Sequence, residues 1–505
     1  MTSEGGLAPV LMVVGTASSV GKSVVVAALC RIFRQDGVRV APFKAQNMSN
    51  NAAVTADGLE IGRAQAEQAA AAGLEPHVDM NPVLLKPQGD RTSQLVLRGR
   101  PAGVLHSRDF TGRKRDLWPD AAQALDALRA RYDLVVAEGA GSPAEPNLRA
   151  GDITNMRVAR HAEAPTLLVG DIDRGGVFAH LLGTLELLPA EDRALVRGFV
   201  INRFRGDPSL LAPAIEEIEE LTGVPVLGVI PWIDDIGVAE EDAVALERPE
   251  AGAADDSAHE VDVALVRLPR IANFDDFDPL AREPGVRLRW VQRADELGDP
   301  DLAVLPGTKA TVADLGWLRE QGLDRAIAEH AARGGAVLGI CGGFQMLGER
   351  LVDEEGVEAA AGTSTAGLGL LPVETRFVAA KTTRQASGEV RGAAGPWAEA
   401  AGLPVSGYEI HMGQHAGGAP ARPLLTLDGR PDGAVSPDGR IAGTYLHGLL
   451  HNDGVRAALL RALGRRDGSG EASAFADQRE AAFERLASVV REHLDMARVE
   501  ALLER

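Results

Sequence analysis

Three groups of residues in this 505-residue sequence have the types and spacing of reactive chemistry. The first is "VVGTASSVGKSVV", residues 13–25, where five residues separate Gly15 from Gly21-Lys22-Ser23. A Gly-rich turn between a strand and a helix presents backbone N–H groups and the positive helix end to phosphate oxygens. Thr16, Ser18, Ser19, Val20 and Gly21 would wrap the phosphates of a nucleotide. Lys22 would pair with its β- and γ-phosphates, and the Ser23 hydroxyl would sit on Mg²⁺.

The second group consists of polar residues that follow short apolar runs. Ligands of open α/β sheets collect beyond the carboxyl ends of the strands. Glu138 closes "YDLVVAE" and is assigned to Mg²⁺, while Lys44 follows "VAPF" and would reach the phosphates. Gln46 and Asn47, just after Lys44, are candidate substrate contacts. Asn202, at the end of "GFVIN", would read the adenine edge with Arg203 beside it, unless it is a turn asparagine.

The third group centres on a thiol. Cys341 stands in "GICGG" between an apolar run and a helical pattern, where small neighbours permit a sharp turn that exposes a nucleophile. The start of a following helix favours the thiolate, which is the reacting form. Such a thiol needs a proton carrier and an oxyanion hole. His447 in "GTYLHGLLHND" is the expected partner, with His451 as the competitor. The backbone at Pro306-Gly307 and the N–H of Gly342 would hold the oxyanion. His411 in "GYEIHMG" reads as structural or substrate-facing, and Cys30 as core packing.

The elements that carry these groups alternate between β-rich runs and helical patterns, which predicts an α/β fold. A parallel-sheet ATP-binding domain is expected over 1–245 and a second α/β domain over 261–455. They are joined by a linker over 246–260, which is rich in Ala, Asp, Glu and Pro. The tail, 470–505, places Phe483, Leu486, Val490, Leu494 and Leu502 at helical spacing and reads as one helix docked on a domain. With 72 acidic and 52 basic residues the net charge is −20, which disfavours nucleic acid or an anionic membrane as partner. The first ten residues lack the pattern of a secretory signal, so a cytoplasmic location is expected. Two cysteines make no disulfide framework, and self-association into a homo-oligomer stays open.

The "GTxxxxGK[ST]" spacing resembles the phosphate loop of dethiobiotin synthetases and partition ATPases. The Cys341 elbow, the Pro-Gly loop and the late histidine resemble class I glutamine amidotransferases. Leu449, however, stands where most of that class carries a glutamate, two residues after the histidine. Together with "PFKAQNMSNN", "DIDRGGVFA", "VRLPRIANFDDFDPL" and "GYEIHMG", the chain is similar in collinear order to the cobyric acid synthase family. Members resemble it in lacking that glutamate.

The resemblance implies ATP- and L-glutamine-dependent amidation of the b, d, e and g carboxylates of adenosylcobyrinic acid a,c-diamide. It implies Cys341 as nucleophile with His447 as its partner, and Lys22, Ser23, Lys44 and Glu138 on Mg-ATP. Glu60 is a further Mg²⁺ or substrate candidate. Asp171, Asp173 and Arg174 either touch the corrinoid or acyl phosphate or form a loop network of Asp–Arg pairs. The rival readings are a cobyrinic acid a,c-diamide synthase and, from another class, a partition-type ATPase switch.

Overall fold

The computed structural model describes residues 6–504 apart from 90, 107–109, 235, 238–258, 393, 417–419, 421 and 466–473. Nearly all of the expected linker, 246–260, therefore lies outside the described residues. The chain divides into two compact units. One comprises residues 1–49, 60–247 and 476–505, the other 50–59 and 248–475.

The first unit is built on a six-stranded sheet: β1 (Val10–Gly15), β2 (Val40–Phe43), β3 (Leu134–Glu138), β4 (Thr166–Asp171), β5 (Val196–Phe204) and β6 (Val226–Pro231), in the order β6-β5-β4-β1-β3-β2. Every pairing is parallel. Helices cover both faces of such a sheet, so its central strands read as unbroken apolar runs. All six residues of β1 are buried. The register sets Glu138 beside Val13 and Asn202 beside Asp171, which gathers polar side chains along one sheet edge. Helix α1 (Lys22–Gln35) starts directly after Gly21, whose φ of 95° is a left-handed conformation that suits glycine.

A four-stranded sheet of Gln46–Met48, Val83–Gly89, Thr92–Leu97 and Arg100–His106 stands beside helix α2 (Arg63–Ala71) in chain order and was not expected from the sequence. Its pairings are mostly antiparallel, and its core is Val83, Leu85, Leu95 and Leu105.

The tail forms two helices rather than one. Helix α4 (Phe475–His493) ends where the Asp495 N–H donates to the Leu227 carbonyl at 2.7 Å. Helix α5 (Met496–Ala501) starts with the Asp495 side chain accepting from the Arg498 N–H. Phe483, Leu486, Val490 and Val499 share one core with Leu11, Val13, Leu29 and Ile32. Arg31, only 4% exposed, pairs with Glu480 and, at 2.8 Å, with Glu484. Truncating a fully buried aromatic costs about 3–5 kcal/mol. Phe483→Ala is therefore expected to lower the unfolding free energy of the first unit, read by denaturant titration, by that amount, and a loss near zero would show that the tail is peripheral.

The second unit has a six-stranded sheet: β7 (Val261–Val266), β8 (Val286–Val291), β9 (Leu302–Leu305), β10 (Ala336–Ile340), β11 (Ala434–Val435) and β12 (Ile441–Thr444), in the order β8-β7-β9-β10-β12-β11. It is parallel except where β11 meets β12. A second, largely antiparallel sheet is dominated by the long pair Glu374–Val390 and Pro404–His415, which the sequence did not reveal. No described helix is long and apolar enough to cross a membrane.

Candidate active sites in the two units

In the first unit the carboxylate of Glu138 is the focus. Its Oε1 accepts from Ser23 Oγ at 2.8 Å and from Lys44 Nζ at 2.9 Å. Its Oε2 accepts from Gln68 Nε2 at 2.6 Å. Burial alone would raise the pKa of this acid, but the Lys44 charge and the three hydrogen bonds hold it below the ordinary glutamate value. The structure thus brings Ser23, Lys44 and Glu138 together. Gln68 was missed, because "GRAQAEQAA" carries no signature beyond helical spacing.

Thr16 to Gly21 form the turn between β1 and α1, with Ser19 at φ 56° and Gly21 at φ 95°. The Thr16 N–H donates to the Val169 carbonyl at 2.9 Å, anchoring the turn to β4. Lys22 Nζ donates to the carbonyls of Ala17 at 2.9 Å and Gly141 at 3.3 Å, so its ammonium lies across the loop mouth. A hydroxyl and a carboxylate oxygen 2.8 Å apart are the hard oxygen donors that Mg²⁺ takes, and they fit that ion. Cys30 is fully buried; burial first and Glu138 second push its thiol far up, which makes it inert packing.

Two expectations change. Asn202 does not point its amide at a base edge; Nδ2 donates to the Val20 carbonyl at 2.9 Å and braces the phosphate loop from β5. Arg203 pairs with Asp171 Oδ2 at 2.8 Å instead of standing free for adenine. Glu60 is 1% exposed and accepts from Lys86 Nζ at 2.6 Å, a buried pair like that of Glu138 with Lys44.

Asp171 also meets Arg174 at 3.5 Å, and Asp173 meets Arg205 at 3.2 Å. Asp–Arg pairs, as one of the two readings of "GDIDRGG" has them, are thus present in this loop. Gln46 and Asn47 are buried, at 4% and 2% exposure. Asn47 Nδ2 donates to Gln65 Oε1 at 3.0 Å.

In the second unit Cys341 joins β10 to the short helix α3 (Gly342–Leu347) at φ 50°, ψ −107°. A side chain on Gly343 would lie 1.9 Å from the Leu305 carbonyl oxygen, so only glycine allows this tight elbow. Gly307, two residues past the end of β9, passes against the pair. A Cβ built on it would stand 3.1 Å from His447 Cε1 and 3.8 Å from Cys341 Cβ. One on Gly342 would meet the Thr308 backbone nitrogen at 3.0 Å. The structure therefore assembles Cys341, His447, Gly307 and Gly342 in one place.

His447 is 1% exposed and stacks on Tyr408, with ring centroids 5.2 Å apart. Its Nδ1 lies 2.7 Å from Asp276 Oδ2, and Asp276 Oδ1 accepts from the Gly448 N–H at 2.8 Å. Burial would lower the pKa of the imidazole; the Asp276 charge and hydrogen bond, joined by the Cys341 contact, outweigh it and hold the ring up to about 10. A carboxylate thus stands behind His447 although Leu449 is a buried apolar residue. It comes from "ANFDDFD", and its place 171 residues before the histidine left no local signal.

His451 Nε2 instead contacts the Asp275 carbonyl at 3.0 Å. His411 stacks on Tyr445 at 4.0 Å, with Nδ1 2.7 Å from the Gly413 carbonyl.

The family description "CobQ/CobB/MinD/ParA nucleotide binding domain" matches residues 11–245, and "CobB/CobQ-like glutamine amidotransferase domain" matches 262–455. A cobyric acid synthase of Chloroflexus aurantiacus is 57% identical over 464 residues, covering 90% of this chain and 92% of its own. Cobyric acid synthases of Sorangium cellulosum and Desulforudis audaxviator are 51% and 52% identical over 516 and 508 residues, each covering 98% of this chain and 98% and 99% of their own.

Proposed function

The chain belongs to the cobyric acid synthase family of glutamine-dependent amide ligases, and from that premise we propose that it amidates the b, d, e and g carboxylates of adenosylcobyrinic acid a,c-diamide. The observation that carries this reading is the presence, in one chain that runs the length of these relatives, of a phosphate loop facing Glu138 and a Cys341–His447–Asp276 centre. A partition-type switch has no use for the second.

Carboxylate and ammonia do not condense in water, so the carboxylate is first phosphorylated by ATP. Lys22 and Lys44 neutralise phosphate charge, and the turn from Thr16 to Gly21 donates its N–H groups. Ser23 and Glu138 would hold Mg²⁺, which when bound supplies further neutralisation across the phosphate oxygens. Asn202 keeps the loop in shape, and Gln46 and Asn47 are assigned to the corrinoid.

In the other unit the Cys341 thiolate attacks the side-chain amide carbon of glutamine, and the backbone at Gly307 and Gly342 holds the oxyanion. His447 protonates the departing ammonia, leaving a thioester, and then takes a proton from the water that hydrolyses it. Asp276 fixes the ring orientation and stabilises the imidazolium. The released ammonia displaces phosphate from the activated corrinoid.

Asp276→Asn should cut glutaminase kcat by roughly 10²–10⁴-fold, as for other orienting carboxylates. The alkaline limb of its pH profile should move down, because the charge that holds the His447 proton is gone. The sign for stability follows from a raised pKa. The pair contributes fully below the ordinary histidine value of 6.5 and loses that contribution as pH climbs toward about 10. An unchanged alkaline limb in Asp276→Asn would show that Asp276 does not act on His447.

The substrate assignment is tested by incubating the protein with ATP, glutamine and each candidate corrinoid, and counting the added amides by mass. Four additions to the a,c-diamide are expected; amidation of cobyrinic acid at a and c would overturn it.

A further inference from the structure

The segment 50–59 lies in sequence between ATP-site residues, directly after Gln46 and Asn47, yet it belongs to the unit that holds Cys341. It is a self-closed loop: the Thr55 N–H donates to the Leu59 carbonyl at 2.8 Å, and Thr55 Oγ1 donates to Asp57 Oδ1 at 2.5 Å. Gln385 on the long antiparallel pair donates to the Val54 carbonyl and pins the loop from one side.

On the other side it meets the turn that carries Asp276. The Asn273 N–H donates to Asn51 Oδ1 at 2.7 Å, and the Ala52 N–H donates back to Asn273 Oδ1 at 2.8 Å. Asn51 and Asn273 are 4% and 3% exposed. In so buried a place an unmade hydrogen bond costs the full desolvation of the group left behind, so the reciprocal pair is strongly held.

Asn273 has φ 54°, ψ 46°, a left-handed conformation that asparagine tolerates better than most residues. It launches the short 3-10 turn Phe274–Phe277, whose Asp276 N–H donates to the Asn273 carbonyl at 3.1 Å. From this turn the Asp276 carboxylate reaches His447 and the Gly448 N–H. Asn51 and Asn273 thus fix the first residue of the turn, and the turn aims the carboxylate.

We propose that Asn51, with Asn273, is a positioning residue for glutamine hydrolysis: the clasp between segment 50–59 and the Phe274–Phe277 turn sets where Asp276 holds His447. The inference rests on the glutaminase reading of Cys341. It means that the amide-hydrolysing centre depends on a residue encoded inside the ATP-binding half of the sequence. Asn51 touches neither glutamine nor thiol in this scheme; its effect passes through Asp276 to the imidazole. The groups facing that imidazole are Asp276 at Nδ1, the Cys341 thiol and the Tyr408 ring, and neither Asn51 nor Asn273 adds a charge to them.

The test uses the full-length chain and glutamate release from glutamine alone. Two variants are compared with the parent: Asn51→Ala, and Asn273→Gly, which keeps the left-handed backbone but deletes the side-chain acceptor. Misplacement of a catalytic group by about 1 Å costs on the order of 10²-fold. For both variants kcat is expected to fall by about 10- to 100-fold. The KM for glutamine should stay near the parent value, the thermal midpoint should fall by only a few degrees as one buried group loses its partner, and the alkaline limb should move to lower pH.

Parent-like kcat and pH limb in either folded variant would overturn the proposal. So would a joint change of KM and midpoint with the pH limb in place, because that pattern is general loosening. If Asn51→Ala does not fold, Asn273→Gly decides by the same criteria. A Cys341→Ala control separates the two levels. Full glutamate release from it would remove the glutaminase reading itself, whereas its loss beside a parent-like Asn51→Ala would remove only the role of Asn51.

Discussion

Glutamate release from glutamine is expected to fall by on the order of 10⁴-fold or more in a Cys341→Ala protein, because a nucleophile that acts as one unit with its proton carrier is lost. Corrinoid amidation driven by added ammonia is expected to continue at the parent rate. The reason is chemical. In the proposed scheme Cys341, His447 and Asp276, which stand together, serve only to free ammonia from an amide, while the acyl phosphate is made where Glu138, Lys44 and the phosphate loop meet. Loss of the ammonia-driven reaction in a folded Cys341→Ala protein would contradict this division. The substitution itself is mild, because the side chain is small and donates only a weak hydrogen bond, 3.5 Å from the Ile410 carbonyl.

The converse variant is Lys22→Ala. Removing one charge-stabilising donor costs on the order of 10²–10³-fold, and this loss should fall on amide formation with glutamine or ammonia alike. Basal glutamate release should persist. Lys22 is a cleaner probe than its neighbour Lys44. Lys22 donates to the neutral carbonyls of Ala17 and Gly141, whereas Lys44 is buried against Glu138. Breaking that buried pair would strand a carboxylate and cost several kcal/mol of stability, mixing folding with catalysis. Amidation that survives Lys22→Ala with ammonia would mean that the loop serves something other than the phosphoryl step.

Much of this was readable from the sequence because the signals are local. A strand covered on both faces spells itself as an apolar run, so β1 to β6 and the polar residues at their ends could be located directly. The Cys341 elbow was equally local, since Gly343 has no room for a side chain beside Leu305.

What escaped notice depends on direction or distance. The end of β5 places Asn202 near the phosphates but does not say that its amide turns back to Val20. In "NFDDFD" three aspartates compete, and only the 3-10 turn selects Asp276 to face His447. The strands of the long antiparallel pair are partly exposed, with a broken burial pattern, and never form the continuous apolar run by which the others were found.

Helices α4 and α5 carry a consequence for biosynthesis. A ribosome delivers Val13 and Leu29 hundreds of residues before Phe483 and Val499, yet all four belong to one core. Domains of nascent chains generally mature from the amino end onward. By that rule the first unit would wait with α1 uncovered while the strands of the second, β7 to β12, emerge later in the chain. Completion therefore runs against the direction of synthesis. A chain stopped shortly after Phe475 would carry all the glutaminase residues beside an unfinished ATP half, and it would spend glutamine without making an amide.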